Sequence, residues 1–304
     1  MKKLNGVSAM ARIVAPALIL FALAAQSRAV AATFVINPTF DSSITSLASS
    51  AAIQAAIKSV IATYQTDITN PVTVNITFKN VTTGLGASAY TNYVVSYTNY
   101  YNALKASKTS SFDTTALAHL PVGPASPVAG ASNVLIKSAV ARVLGLSASL
   151  NIAGTASDGT VSVNTSVMNL TRTGTQNAKY YDLQSVLMHE INEVLGLGST
   201  MGQGLATPYS TYPSPEDLFR YDATGKHSFT TTSTAIAYFS IDGTTHLDQF
   251  NNTGSGDYGD WALSATVQVQ DVSGTVGKQP NLNVELTALD VIGYTLNTTL
   301  QKTN

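Results

Sequence analysis

Hydrophobic positions along this chain repeat with two different periods, and the switches between them outline a mixed fold. Ile53, Ile57, Val60 and Ile61 recur at helical spacing and predict an amphipathic helix over 49–64. After Pro71, the alternation of Val72, Val74, Ile76 and Phe78 with polar residues predicts a half-buried strand over 72–78. Gly84-Leu85-Gly86 breaks that pattern. Helices are predicted over 90–105 and 133–144, with a shorter one N-capped by Asp113 and ending near His119. A turn-rich connector covers 120–127, and Val161 and Val163 alternate in a strand over 161–165. Beyond a helix at 182–196 the chain is rich in loops, with short strands at 237–241 and 267–269 and a last helix, 286–292, ending at Gly293. No repeat and no long linker divides residues 33–304. The expectation is an α+β fold, one domain with two subdomains facing each other across the 182–196 helix.

The first 32 residues read differently. Lys2, Lys3 and Arg12 precede an apolar run, 13–25, and Ala29-Val30-Ala31 has the small-x-small pattern of a cleavage site. This is the layout of a secretory signal peptide, and the run is too short to span a bilayer. The expected destination is the extracellular or periplasmic space, with no membrane association once the signal is cleaved. The chain has no cysteine, so export brings no disulfides and any metal site must use imidazole and carboxylate side chains. Only 11% of the 304 residues are charged, and Ser, Thr, Asn and Tyr are left to cover the surface.

Charge is unevenly placed. Removing Lys2, Lys3, Arg12 and Arg28 takes the formal net charge from -1 to -5. Four acids (Asp41, Asp67, Asp113, Asp158) precede residue 182, which leaves 13 of the 17 in the last part of the chain beside Arg220, Lys226, Lys278 and Lys302. Such a surface argues against nucleic acid as a partner and suits bound cations.

The helix at 182–196 carries the chemistry. On a helical wheel Leu183, Val186, Leu187, Ile191 and Val194 share a broad apolar face, with Ser185 and Asn192 opposite. His189, Glu190 and Glu193 occupy an arc beside that face, and Glu190 lies within it. A carboxylate buried there calls for a cationic or protonated neighbour. His189 and Glu193, four apart, point the same way and can grip one ion, while Glu190 can reach a water on it. Gly196 and Gly198 let the helix end and the chain turn away. A His-Glu-x-x-Glu string alone has low specificity.

The stretch from Val186 to Ser199, Val-Leu-Met-His-Glu-Ile-Asn-Glu-Val-Leu-Gly-Leu-Gly-Ser, resembles the active-site helix of zincin metallopeptidases. It is most similar to a family of secreted bacterial predicted metalloproteases with a His-Glu-Ile-x-Glu-Val helix. The resemblance extends over nearly the whole mature chain, including Asp217-Leu218-Phe219-Arg220-Tyr221, Gly256-Asp257-Tyr258-Gly259-Asp260-Trp261 and the stretch from Leu286 to Tyr294. It is also loosely similar to leishmanolysin-like metzincins, from which it departs at Ser199 and in having no methionine after Met201. The resemblance implies a zincin-like catalytic domain, zinc as cofactor, His189 and Glu193 as ligands, Glu190 as general base, and a protein or peptide substrate. Its best match for a third ligand is Asp260, followed by Asp257 and then His246. Asp257 and Asp260, among Gly254, Gly256 and Gly259, could instead hold calcium through oxygens. Asp217 and Arg220 are read as a structural pair, and His119 and His227 as ordinary histidines. The competing function is a non-catalytic secreted binding protein on a degenerate zincin fold.

Overall fold

A four-stranded sheet forms the backing of the molecule, and its strand order explains where the 182–196 helix lies. The computed structural model describes residues 33–299, so the expected signal peptide lies outside the described residues. The chain opens with β1 (Val35–Phe40), a short helix α1 (Ser42–Thr45) and the long helix α2 (Ser50–Asp67), then β2 (Thr73–Asn80) and β3 (Gly86–Tyr90). Next come β4 (Asn92–Ser96), α3 (Tyr97–Ser107), α4 (Ser111–His119), β5 (Asn133–Lys137), α5 (Ser138–Val143) and β6 (Gly159–Val163). The two-residue strands β7 (Met168–Asn169) and β8 (Tyr181–Asp182) pair in parallel just before α6 (Leu183–Leu195). β9 (Arg220–Tyr221), β10 (Tyr238–Phe239) and β11 (Asp248–Gln249) form a small antiparallel sheet, and α7 (Val284–Val291) closes the described chain. This is a mixed α+β architecture, and the described residues form one compact unit.

The main sheet runs β1-β2-β6-β3. β1, β2 and β6 are parallel, and β3 returns antiparallel to β6 as an open edge. Pro38 sits in β1, the other edge strand, where a missing N–H is tolerated. Along β2 and β6 the buried positions alternate (Val74, Ile76 and Phe78; Val161 and Val163) and build one apolar face. Helix α6 crosses that face so closely that a Cβ on Gly159 would lie 2.7 Å from a Val194 methyl. Glycine is therefore required in β6 at that crossing. Tyr64 of α2 donates its hydroxyl toward Met188 O at 2.9 Å and Asn192 Oδ1 at 2.7 Å, and Tyr294 donates to Leu195 O at 2.7 Å. The middle and the C-terminal end of α6 are thus fastened to other elements.

Several expected elements shift or divide. Residues 133–144 are not one helix but β5 followed by α5. The run Val134-Leu135-Ile136 is buried without alternation, and period alone cannot separate such a run from a helix. Residues 90–105 hold the end of β3, all of β4 and most of α3, because Ser96 caps the helix by accepting from Asn99 N. Asp113 is not the N-cap of α4. Ser110 is, and Asp113 answers it from the third helical position in a capping box. Residues 267–269 form no strand, and the strand at 237–241 shortens to β10.

One buried ion pair ties the sheet to the loop before β6. Arg142 Nε lies 2.8 Å from Asp158 Oδ1, and Asp158 Oδ2 accepts from Asn75 N. The guanidinium also donates to Ala153 O and Ala156 O. Removing one partner of a buried pair strands the other charge. Arg142→Leu is expected to lower folding stability by about 3–5 kcal/mol, read as a fall in the urea unfolding midpoint. A loss below about 1 kcal/mol would show that Asp158 is satisfied without it.

Candidate metal centre

Helix α6 is built as a rigid mount. Asp182 caps its first turn by accepting from Ser185 N and is itself gripped by Arg172 at 2.6 Å. At the other end Gly196 takes a φ of 136°, which releases the chain from the helix. Lys137, buried at the end of β5, donates to Glu193 O and Leu197 O there, and its ammonium lies 3.6 Å from the centre of the Tyr90 ring. A cation at a helix C-terminus is favoured by the orphan carbonyls and the dipole. The helix is more buried than its amphipathic wheel suggests. Asn192, expected on the polar side, is fully enclosed between Tyr64 Oη and Gln270 Oε1.

Three predicted ligands converge. His189, Glu193 and Asp260 each offer an atom within 4.8 Å of the other two. His189 Nε2 lies 3.7 Å from Glu193 Oε1 and 3.5 Å from Asp260 Oδ1. The Nδ1 side of the ring faces Val269 O at 3.0 Å. A carbonyl can only accept, so this contact puts a proton on Nδ1 and turns Nε2 toward the carboxylates. Asp260 is held from its neighbour: Trp261 is fully buried, bonds Gln270 O through its backbone N and reaches Glu285 through its indole N–H. Gln270, oriented by Asn192, donates from Nε2 to Asp260 Oδ1 at 3.0 Å.

The environment separates the two glutamates of the helix. Burial, then the charge of Glu193, pushes the Glu190 carboxyl above its ordinary range. Burial also works against Glu193, but a hydrogen bond and the charge of His189, with help from Lys137 and Ser88, hold that carboxyl low. Burial disfavours the His189 imidazolium, yet Asp260 and then Glu193 outweigh it and raise the histidine. The trio sets two carboxylates on one imidazole, a grouping that could hold a metal ion. One imidazole and two carboxylates in tight convergence are a donor set that fits zinc.

The other candidates are engaged otherwise. Asp257, on the same cleft, spends Oδ1 on Ser199 N and Gly259 N, and Oδ2 on the Gln203 amide, and so fastens two loops. His246 stacks flat on Tyr238 with ring centres 3.9 Å apart, and His227 stacks on Tyr221. His119 contacts Thr115 O in its own helix. Asp217 and Arg220 do not serve as a pair. Asp217 accepts from Ser199, Thr200 and Ser214, whereas Arg220 donates to Tyr258 O and Asn251 O over the Phe250 ring.

The trio opens on a cleft of about 610 Å³ between β3 and the 267–275 segment, lined by Glu190, Tyr181, Met201 and Val272 among others. Sequence reasoning missed Gly86, Ser88, Lys137 and Gln270. Of these only Gly86 left a signal, as part of a glycine pair read as a pattern break. A Cβ on it would overlap the Glu190 carboxylate. Comparison with family models, with curated proteins and with solved structures returns no match.

Gly259 packs against the backbone of Gly198 and Ser199, with no room for a Cβ. Backbone cannot yield as a side chain tip can, so Gly259→Ala is expected to cost about 1–3 kcal/mol through overpacking. Thermal unfolding measures it, and an unchanged midpoint would show that the Asp260 loop is free to move.

Proposed function

We propose that this chain is a secreted, zinc-dependent peptidase with a zincin-like catalytic domain, its subdomains meeting at α6. One observation carries the reading. The imidazole and one carboxylate of α6 meet a second carboxylate, Asp260, from a distant loop, and a third carboxylate, Glu190, stands beside them on the same cleft. His189, Glu193 and Asp260 would hold the zinc, which would supply Lewis acidity and a water acidified toward neutral pH. Glu190 accepts the proton of the attacking water and returns it to the departing amine nitrogen, the two roles of one general acid–base group. Gly86 leaves the space in which that carboxylate sits.

The cleft also supports a peptide as substrate. One wall is β3, an edge strand whose outer N–H and C=O groups have no strand partner among the described residues. An extended peptide can add to such an edge through backbone bonds, which places a scissile carbonyl without demanding particular side chains. The acidic excess of the second half gives no footing for nucleic acid, and no helix among the described residues is long and apolar enough to cross a membrane. The N-terminal pattern of residues 1–32 supports export.

Protein purified without added metal is expected to carry about one equivalent of zinc. Glu190→Gln should keep that metal and the fold yet lose about 10²–10⁴-fold in cleavage of denatured casein. Full activity in the variant refutes the role given to Glu190. Zinc-loaded but inactive unaltered protein favours the non-catalytic binding protein. Gly86→Ala meets only the flexible end of Glu190 and one Val186 methyl. It should lower cleavage by about tenfold or more through misplacement of the base, with little change in the unfolding midpoint. Equal activity would show that Glu190 has room to spare.

A further inference from the structure

The inward residues of β3 meet the metal helix one by one. Gly86, Ser88 and Tyr90 are the partly buried positions of a strand whose other residues, Ala87 and Ala89, are exposed. Gly86 borders Glu190, and Tyr90 covers the Lys137 ammonium that caps the end of α6. Between them Ser88 Oγ donates to Glu193 Oε2 at 2.5 Å. The other oxygen of the same carboxylate, Oε1, is the one that faces His189 Nε2.

A glutamate on a helix has three rotatable bonds, and freezing it on a cation costs rotamer entropy. A carboxylate with both oxygens free can also bind side-on or turn away. The serine removes both freedoms at once. It occupies Oε2, so Oε1 alone points at the shared centre. Register makes this specific to one residue. Ser88 pairs with Val161 of β6, and a slip by one position would present Ala87 or Ala89, neither of which has a donor. Among the described residues no other side-chain donor reaches Oε2, while Lys137 bonds the backbone carbonyl of Glu193 and not its carboxylate.

We infer that Ser88 is a positioning residue that fixes the Glu193 carboxylate for one-oxygen coordination and so makes metal retention depend on the placement of edge strand β3. The inference rests on the metal-site reading above. Because β3 also lines the cleft, the strand that contacts substrate is the strand that holds a ligand. Anything that orders β3 strengthens the metal site, and by linkage the metal orders β3.

The test compares the unaltered chain with Ser88→Ala and Ser88→Thr. Threonine keeps the hydroxyl and suits a strand, whereas alanine removes the donor. The reading is zinc affinity of the metal-stripped full chain, by competition with a chromophoric chelator, beside the zinc-induced rise in Tm. Alanine is expected to weaken zinc binding by about 10–100-fold, the usual effect of losing a hydrogen bond to a ligand, and threonine by less than about threefold. The Tm of both metal-stripped variants should match that of the unaltered chain, which separates positioning from support of the fold. Zinc affinity in Ser88→Ala equal to the unaltered chain overturns the inference alone. Equal losses in both variants also overturn it, since the hydroxyl would not be the cause. Absence of zinc binding by the unaltered chain overturns the inference together with the peptidase reading.

Discussion

Negative charge buried along the second half of α6 is the constraint around which the rest of this structure is arranged. Glu190 and Glu193 on the helix, Asp257 and Asp260 on the facing loop and Glu216 behind the helix end lie in one region, with Lys137 as the buried ammonium among them. Carboxylates cannot be enclosed this closely without donors or cations to answer them. The chain answers most of them with its own backbone. Asp257 takes N–H groups from Ser199 and Gly259, and Glu216 takes that of Gly198. Those bonds lock the turn after α6. They leave His189, Glu193, Asp260 and Glu190 as the acids and base whose charge the fold does not settle internally.

The same logic runs through the remainder of a chain without cysteine. Asp158, Asp217 and Glu285 are buried hubs, each accepting hydrogen bonds from segments fifteen or more residues away, and buried Asp182 gathers Arg172 and Ser185 at the start of α6. Most buried acids of this fold therefore hold the structure together. What sets Glu193 and Asp260 apart is geometric: both face the same imidazole nitrogen and line an open cleft. Neutral side chains then set orientation. Asn192 and Gln270 form a buried line from Tyr64 to Asp260, and every member is satisfied, which is the condition under which a polar core is rigid.

Close backbone approach is the second recurring device. Gly159 lets α6 settle onto the sheet, Gly259 lets the Asp260 loop touch the chain beyond the helix, and Gly86 clears space for Glu190. Together they bring three separate segments to within bonding distance of one point. Each is a place where a single carbon would hold the pieces apart.

The sequence by itself determined the period-two strand β2, the long helix α2, the boundaries of α6 and the direction of His189, Glu190 and Glu193, because all of these follow from local spacing within one element. Asp182 and Gly196 were readable as its ends for the same reason. It also ranked Asp260 ahead of Asp257 and His246, through the residues around Trp261. Only the tertiary structure decided that 133–144 divides into a strand and a helix, since a run buried on every side has no period to read. Tertiary packing alone brought Asp260 to His189, filled Asp257 with donors, stacked His246 on Tyr238, and set Ser88 against Glu193. Those outcomes depend on pairing register and on loops meeting across the fold, and neither leaves a mark in the spacing of residues along the chain.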